Sequence, residues 1–465
     1  MGIQFISGII LARLLTPFDY GCIGMLSIFM VIADTFIDSG FGSSLIQKSN
    51  PSDNDYSTIF FWNLFMAVLM YFILFYAAPP ISRFYNIPLL SSVLRVNGIV
   101  LIINAFSIIQ KNLLEKHLNF RRIAKANILA SVIALCVTVY MAYKGAGVWS
   151  LVTQNIIIAL IPCISFWVTS KWRPSFVFST DSFKQLFGFG FYMFLTHLIN
   201  NVSGQVQGLL IGRFYNPSTM GYYSKAHDTE RLASTSISGV MTSVTFPLYS
   251  QIQNDKERMA YLVKRMTSTL AYLTFPLMFI LLLLAKPIFV LLYSDRWIQS
   301  VPYFQVLCIA GLAVCMQSVN LQTIPAIGKS NIMLFSTIVK ITVGLLFIIG
   351  GLLLFGMKGL LVGMVINSWF SYFVNAWLVS RYIGYNWKEQ IMDILPILLA
   401  SSGTALTTYL IGMLLPLGMY FNAIIMLVIY ACIYFVWSVL FKPASYIYTR
   451  TVLTEFIMRK IHKSF

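Results

Sequence analysis

The sequence ILARLLTPFDYG at residues 10–21 returns 200 positions later as LIGRFYNPSTMG at residues 210–221. Each copy closes an apolar segment with a basic residue and a turn that contains proline and glycine. Internal repeats in a chain of many apolar segments are typical of transporters, in which two halves expose a central site to alternate sides of a membrane. The matched pairs are Arg13 and Arg213, Pro17 and Pro217, Gly21 and Gly221, and the small residues Ala12 and Gly212.

A weaker second match of the repeat aligns Gly147 with Gly359, 212 positions apart, and we expect an apolar helix to begin at each glycine. The repeat predicts two equivalent lobes of six helices, joined by a basic linker and followed by two further helices. The predicted boundaries are 1–171 for the first lobe, 172–184 for the linker, 185–382 for the second lobe, 383–441 for the helix pair and 442–465 for a basic cytoplasmic tail.

The composition excludes an ordinary soluble protein. The chain is 58% hydrophobic and only 10% charged, with a mean hydropathy of +0.78, so most of its side chains must face lipid or each other. Several uncharged runs are long enough to cross about 30 Å of hydrocarbon as helices. These runs are Ser57–Ser82, Gly145–Ser170, Leu232–Asn254, Met266–Ala285, Trp297–Gly328, Gly359–Ser380 and Ile394–Phe441, the last broken at Leu415-Pro416-Leu417-Gly418.

The apolar pattern predicts fourteen membrane helices and no strands. The first would rise only about 21 Å, so we expect it to be shortened by a late start codon or a truncated N-terminus. No basic residue precedes it, and we expect no cleavable signal. The predicted helices are 2–15, 19–47, 57–78, 91–110, 123–143, 147–170, 185–211, 220–249, 266–290, 300–326, 331–355, 358–380, 391–415 and 419–441.

The net charge of +17 is distributed as in a membrane protein rather than a nucleic-acid-binding one. If the N-terminus is cytoplasmic, the loops predicted to face the cytoplasm and the C-terminus carry 21 of the 32 basic residues. Ten lie in or beside the opposite loops, and Lys340 lies within a helix. This bias predicts that both termini are cytoplasmic.

The cysteines and histidines give no sign of a catalytic or metal centre. The six cysteines are scattered through apolar segments without CxxC spacing, and the four histidines lie far apart. We therefore expect no disulfide and no metal site. The chain also lacks a nucleotide-binding motif and a large loop outside the membrane, which disfavours an enzyme such as a polysaccharide polymerase, ligase or glycosyltransferase.

An ordered series of strings resembles the Wzx-type polysaccharide transporters, which are flippases of lipid-linked sugar repeat units. The resemblance covers nearly the whole chain, is strongest over residues 9–260, and is closest to the colanic-acid exporter branch. The wider superfamily includes lipid II flippases and multidrug extruders. The strings are LARLLTPFDYG (11–21), FIDSGFGSSLIQ (36–47), LEKHLNF (114–120), GAGVWSLVTQ (145–154), SKWRPSF (170–176), LLIGRFYNPSTMGYYSKA (209–226) and FPLYSQIQNDKE (246–257).

The resemblance implies an all-α integral membrane protein, with two six-helix lobes in a V around a central cavity, related by a pseudo-twofold axis. It implies alternating access that carries an undecaprenyl-diphosphate-linked oligosaccharide across the bacterial inner membrane for O-antigen, capsule or exopolysaccharide. The implied partners are this lipid-linked substrate, the bilayer, a polysaccharide polymerase and other assembly proteins, and no nucleic acid. The alternatives are a lipid II flippase or a multidrug/cation antiporter. The shortened first helix and the heavily charged start of the eighth depart from the family pattern.

A flippase of this kind needs cations at membrane depth, where an unpaired charge costs roughly 2.5–3.5 kcal/mol at the helix centre. The predicted substrate-binding cations are Lys225 and Arg231 in the eighth helix and Lys340, alone in the eleventh. Lys340 could instead pair with Asp34 or Asp38. The charged cluster of the eighth helix could also be a solvated helix end whose charges neutralise one another.

The remaining candidates are acids and polar groups within apolar helices. Asp34, Asp38, Asp228 and Glu230 are the predicted sites for a coupling cation, either H+ or Na+, and no other cofactor is expected; they could also be partners for nearby basic residues. Arg13 could bind substrate or cap a helix C-terminus. The polar groups of the seventh helix, which include His197, Asn200 and Asn201, suit sugar hydroxyls and interhelical hydrogen bonds equally well.

Overall fold

The computed structural model describes residues 2–48, 51–170, 172–415, 417–448 and 450–451. Lys171, Pro416 and the basic tail beyond residue 451 lie outside them. The described residues form α-helices, one 3₁₀ helix (Asp295–Ser300) and no strands. The helices are α1 (Gly2–Leu14), α2 (Pro17–Asp38), α3 (Phe41–Gln47), α4 (Asp53–Tyr85), α5 (Leu89–Asn97), α6 (Ile99–Lys116), α7 (Phe120–Tyr143), α8 (Val148–Thr169), α9 (Thr180–Phe214), α10 (Pro217–Gln251), α11 (Lys256–Leu283), α12 (Ala285–Tyr293), α13 (Val301–Leu321), α14 (Thr323–Ala326), α15 (Ser330–Ile383), α16 (Trp387–Leu414) and α17 (Met419–Phe441).

The helices confirm an all-α, multi-pass membrane protein. Within the described residues, ten spans are long and apolar enough to cross a bilayer. The predicted count of fourteen is not confirmed. Helix α1 has only 13 residues, whereas α9 and α10 have 35 each but are not apolar enough to be among the ten.

The chain forms two compact units. The first contains the residues up to Ser224 together with Leu292–Arg296, and the second contains Lys225–Leu291 and the residues from Trp297 onward. Helix α9 therefore packs within the first unit, where it lies against α2. The lobe boundaries predicted from the repeat group helices that match in sequence, whereas the two units group helices that touch. The lobe boundaries therefore stay a prediction.

The structure corrects one predicted helix and confirms the division of a second region into two helices. The predicted helix 19–47 is broken at Ser39 and Gly40, which both adopt left-handed backbone angles (φ 48° and 71°). The predicted helices 331–355 and 358–380 are confirmed as the two arms of α15, which meet at a single non-helical residue, Gly356. We call this helix pair the α15 hairpin.

Gly356 also corrects the second match of the repeat, in which Gly147 is aligned with Gly359. It has φ 60° and ψ −142°, nearly the same as Gly147 at the start of α8, with φ 55° and ψ −129°. Residues with a Cβ rarely adopt such angles. The conformational equivalent of Gly147 is therefore Gly356. Gly359 lies inside the second arm, where it packs against the backbone of Gly351.

The repeated turn has the same construction in both copies. The Thr16 and Asn216 side chains accept hydrogen bonds from the backbone of Asp19 and Thr219, and proline follows each cap. Such caps satisfy backbone donors at the beginning of a helix. The preceding arginines also behave alike. Arg13 donates to the Leu292 carbonyl at 3.0 Å and Arg213 to the Phe84 carbonyl at 2.9 Å, each in the last turn of another helix.

Candidate functional site

Asp38 lies where α2 breaks, with basic groups on two neighbouring helices. The Gly42 backbone N–H, at the start of α3, donates to its carboxylate, and His197 of α9 and Lys111 of α6 are close enough to interact with its charge. The break is what makes this backbone donor available, because residues in the first turn of a helix have no intrahelical acceptor. Asp38 therefore has nearby groups that can stabilise its carboxylate, as a carboxyl group at membrane depth requires.

Asp34 lies one turn earlier on α2, beside a cavity lined with amides. Its carboxylate interacts with the side chain of Asn104, which lines a cavity of about 330 Å³ together with Asn97, Asn155 and Ser27. Asn155 donates to the Asn97 Oδ1 atom at 3.1 Å. The cavity presents several polar groups to one small volume within the first unit, so it can hydrogen-bond to a hydroxyl-rich ligand or coordinate a small cation.

The polar residues of α9 divide between two roles. Asn201 donates to the Thr35 hydroxyl at 2.9 Å, and Gln205 accepts from Ser27 at 2.9 Å, so both tie α9 to α2. His197 and Asn200 are exposed. The structure thus assigns Asn201 to interhelical bonding and leaves Asn200 available to a ligand.

The charged residues at the start of α10 differ in how deeply they are buried. Lys225 and Glu230 are buried, with 6% and 7% of their surface exposed, whereas Asp228 and Arg231 are exposed. The Lys225 amine lies 5.8 Å from the centroid of the Trp297 ring, which is completely buried. A cation over an aromatic face is attracted by the ring, and the carboxylate of Asp228 also interacts with the charge of Lys225. Lys225 and Arg231 thus differ in burial, and their shared role in substrate binding stays a prediction.

Glu230 is a buried carboxylate pressed against a glycine. A Cβ atom added to Gly311 of α13 would lie 2.3 Å from the Glu230 Oε1 atom. That oxygen has no hydrogen-bond partner in the described part of the chain, although Ser234 interacts with the same carboxyl group. A buried charge without a partner is expensive. A carboxyl group in this position is suited to taking up a proton.

Lys340 is buried between the arms of the α15 hairpin. It is 9% exposed, and its amine donates to the Asn375 Oδ1 atom at 3.0 Å. The acceptor is thus a neutral amide of the facing arm rather than Asp34 or Asp38. Lys340 forms no salt bridge in the part of the chain that the structure describes.

Arg13 occupies a structural position. It is exposed, and it donates a hydrogen bond to the Leu292 carbonyl at the end of α12. This contact agrees with the predicted alternative that Arg13 caps a helix C-terminus. The sequence analysis missed several residues that complete these sites, because each is an ordinary residue until its neighbours are known. They are Asn104 beside Asp34, Trp297 below Lys225, Gly311 against Glu230 and Asn375 against Lys340.

Solved structures place the fold among membrane transporters. The lipid II flippase MurJ in an inward closed conformation superposes with a TM-score of 0.74, covering 94% of this chain and 97% of MurJ at 15% identity. At that identity the likeness establishes the fold alone. It confirms the transporter-like, all-α architecture expected from the sequence.

Sequence relatives give the family. The chain is 25% identical to the teichuronic acid biosynthesis protein TuaB of Bacillus subtilis strain 168, over 71% of this chain and 69% of TuaB. It is 21% identical to the lipopolysaccharide biosynthesis protein WzxC of Escherichia coli K12, over 89% of this chain and 85% of WzxC. The family described as polysaccharide biosynthesis protein matches residues 10–302, more than half of the chain. The resemblance carried by the seven ordered strings is thereby confirmed, and the chain belongs to this polysaccharide biosynthesis protein family.

Proposed function

We propose that this protein is a flippase that carries an undecaprenyl-diphosphate-linked oligosaccharide from the cytoplasmic to the periplasmic leaflet of the bacterial inner membrane. The observation that carries the proposal is the family match over residues 10–302 in a chain with the fold of a lipid II flippase. The substrate would serve the synthesis of a surface polysaccharide such as O-antigen, capsule or exopolysaccharide. Both termini would be cytoplasmic, with a polysaccharide polymerase and other assembly proteins as partners.

The diphosphate requires cations that are not already committed to acids. Lys340 meets this requirement, because its acceptor is the neutral Asn375 amide. A phosphate oxygen is a stronger acceptor for the Lys340 amine than an amide oxygen, because its negative charge attracts the positive charge of the amine. Lys340 is buried here, so the arms of the α15 hairpin would have to shift for it to reach a phosphate. Lys225 and Arg231 would contribute from α10.

The glycan requires many uncharged hydrogen-bonding groups. In the first unit these are the amides of the cavity beside Asp34, with the exposed side chains of Asn200 and His197 on α9. Amides can donate to and accept from sugar hydroxyls without fixing a charge in the membrane. We assign the sugar to such groups and the diphosphate to the lysines.

Uphill transport would be coupled to a cation, H+ or Na+, at one of the membrane carboxylates. Of the four candidates, Glu230 is the best suited to a proton, because it is buried and one of its oxygens lacks a partner within the described residues. Asp38 already accepts a hydrogen bond from the Gly42 backbone and interacts with Lys111 and His197. Asp34 interacts with Asn104, which lines the amide cavity, and it suits Na+ equally well. Asp228 is exposed at the start of α10.

The second candidate is a lipid II flippase, which the fold of MurJ favours; a multidrug/cation antiporter of the same superfamily is the third. One experiment separates all three. The gene is expressed in a bacterium that lacks its own oligosaccharide flippase, and spheroplasts are treated with a periplasmic glycosidase that cuts lipid-linked repeat units. We expect the repeat units to become accessible. If they remain protected in several such hosts while a MurJ-depleted strain is rescued, the lipid II function is correct, and drug resistance alone would indicate the antiporter.

A further inference from the structure

The α15 hairpin bears an apolar groove that the proposed function does not use. The groove lies between the two arms near their open end and encloses about 620 Å³. Its walls are formed by residues of both arms, chiefly Phe335, Ser336 and Val339 from the first and Phe373, Trp377 and Tyr382 from the second. All of these residues belong to the second unit.

Two basic residues stand at the mouth of the groove and share one aromatic ring. The Lys329 amine lies 4.2 Å from the centroid of the Tyr382 ring. The Arg381 guanidinium lies 5.9 Å from the same ring and 5.4 Å from that of Trp377. Both cations are exposed, and neither forms a salt bridge within the described part of the chain. The mouth therefore carries two positive charges that no acidic side chain among the described residues pairs with.

The walls of the groove face outward over a membrane-spanning length. Residues 332–383 form one of the candidate spans, yet 70% of Phe335 and 48% of Trp377 remain exposed. Apolar side chains exposed on such a helix face hydrocarbon, and aromatic rings beside basic groups mark the level of the lipid headgroups. The positive-inside bias predicts that Lys329 and Arg381 lie on the cytoplasmic side.

We propose that this groove binds one anionic phospholipid of the cytoplasmic leaflet, with an acyl chain between the two arms and the phosphate held by Lys329 and Arg381. Basic pockets between membrane helices on the cytoplasmic side are suited to acidic lipid headgroups. The site is separate from Lys340 and from the proposed transport of a lipid-linked sugar, and it stands or falls without that function.

A second groove lies at the closed end of the hairpin, around Gly350 and Gly359, and encloses about 550 Å³. Only one basic residue, Lys358, lines it in the described structure. A single lysine attracts an anionic headgroup about half as strongly as two cations do. The proposal is therefore confined to the groove with Lys329 and Arg381 at its mouth.

Trp377 provides a direct probe of occupancy, because bromine atoms on an acyl chain quench a nearby indole. Purified full-length protein in detergent micelles is titrated with dibrominated phosphatidylglycerol, and the same titration is made on the Trp377→Phe variant. The quenching that disappears in the variant reports the groove. We expect saturable quenching by the anionic lipid and much weaker quenching by dibrominated phosphatidylcholine. Equal quenching by the two lipids, or none that depends on Trp377, would overturn the proposal.

Charge and space are then tested separately. The Lys329→Gln/Arg381→Gln variant should bind phosphatidylglycerol about twenty-five-fold more weakly, from roughly a fivefold loss per cation. Its matched control is Arg258→Gln/Lys388→Gln, which removes two exposed cations away from the groove and should bind normally. Val339→Phe should abolish the Trp377-dependent quenching although both cations remain. Unchanged affinity of the Lys329→Gln/Arg381→Gln variant, or unchanged quenching in Val339→Phe, contradicts the proposal. Native mass spectrometry of the retained lipid and thermal unfolding verify that each variant is folded.

Discussion

Gly21 lies directly against the carbonyl oxygen of Pro217: a Cβ atom added to this glycine would be 1.8 Å from that oxygen. The contact is reciprocal, because a Cβ atom on Gly221 would be 1.8 Å from the carbonyl oxygen of Pro17. These are the residues that match in the sequence repeat. The two copies of the turn therefore meet each other, and each supplies the glycine that lets the other approach.

This reciprocity gives the repeat a physical meaning. The glycines are required where two helix beginnings cross at backbone contact, and the prolines begin the helices that cross. The arginines then bond to the last turns of two other helices. The repeated residues thus build the scaffold, whereas the candidate transport residues lie elsewhere.

The glycine crossing predicts a strong steric effect. Gly21→Ala or Gly221→Ala must push backbone against backbone, and overpacking of this kind costs about 1–3 kcal/mol. We expect a lower thermal unfolding temperature in detergent and lower abundance in the membrane. Gly204→Ala is the matched control, because no atom lies within 4 Å of the added Cβ position. Wild-type stability of both crossing variants would show that the two turns do not touch in this way.

Lys340 should be needed for transport more than for folding. Lys340→Met replaces a buried amine, which is costly to keep charged, with an apolar side chain of similar length, and should leave membrane abundance unchanged. Loss of a charge-assisted bond to phosphate corresponds to about a tenfold to hundredfold lower transport rate. Surface glycan and protein abundance are measured together. The control is Lys358→Met, at the closed end of the same hairpin; transport at the wild-type rate in Lys340→Met would remove Lys340 from the binding site.

Glu230 predicts the pH dependence of transport. If its carboxyl group takes up the coupling proton, Glu230→Gln mimics the protonated form at every pH. The variant should keep its fold, because Gln replaces Glu without a change of volume, and it should lose the response of transport to an imposed pH gradient. Flippase activity is measured in proteoliposomes with and without the gradient. The exposed Asp228→Asn variant should respond normally, and a normal response in Glu230→Gln would exclude Glu230 as the proton site.

The division of the α10 cluster predicts unequal effects of its two cations. Lys225→Ala removes a buried amine from the Trp297 ring and should reduce both stability and transport. Arg231→Ala changes an exposed side chain and should have a smaller effect, within about 0.5 kcal/mol on stability. Thermal unfolding and surface glycan are compared for the two single variants and the double variant. Equal effects of the single variants would mean that the two cations act together in another conformation.

Much of the architecture follows from local sequence. Long uncharged runs specify helices that cross a membrane, because neither an exposed backbone nor an unpaired charge is tolerated in hydrocarbon. The sequence also predicts the turns at Thr16-Pro17 and Asn216-Pro217, because a capping side chain followed by proline is sufficient to fix the beginning of a helix. The ordered strings were sufficient to predict the family.

Other features required the tertiary structure. Gly356, rather than Gly359, is the partner of Gly147, because equivalence depends on backbone angles that spacing does not reveal. The cluster from Lys225 to Arg231 is continuous in sequence, but burial separates its members. Lys340 is alone in sequence and finds its acceptor 35 positions away, on the facing arm.

The sequence by itself determined that this chain is a helical membrane protein with a duplicated turn, because hydropathy and helix caps act over a few residues. The tertiary structure decided which polar groups are buried, which partners neutralise them and where a groove opens. The physical reason is that the free energy of a charge within a membrane depends on groups distant in sequence, and only the packing of the helices brings those groups together.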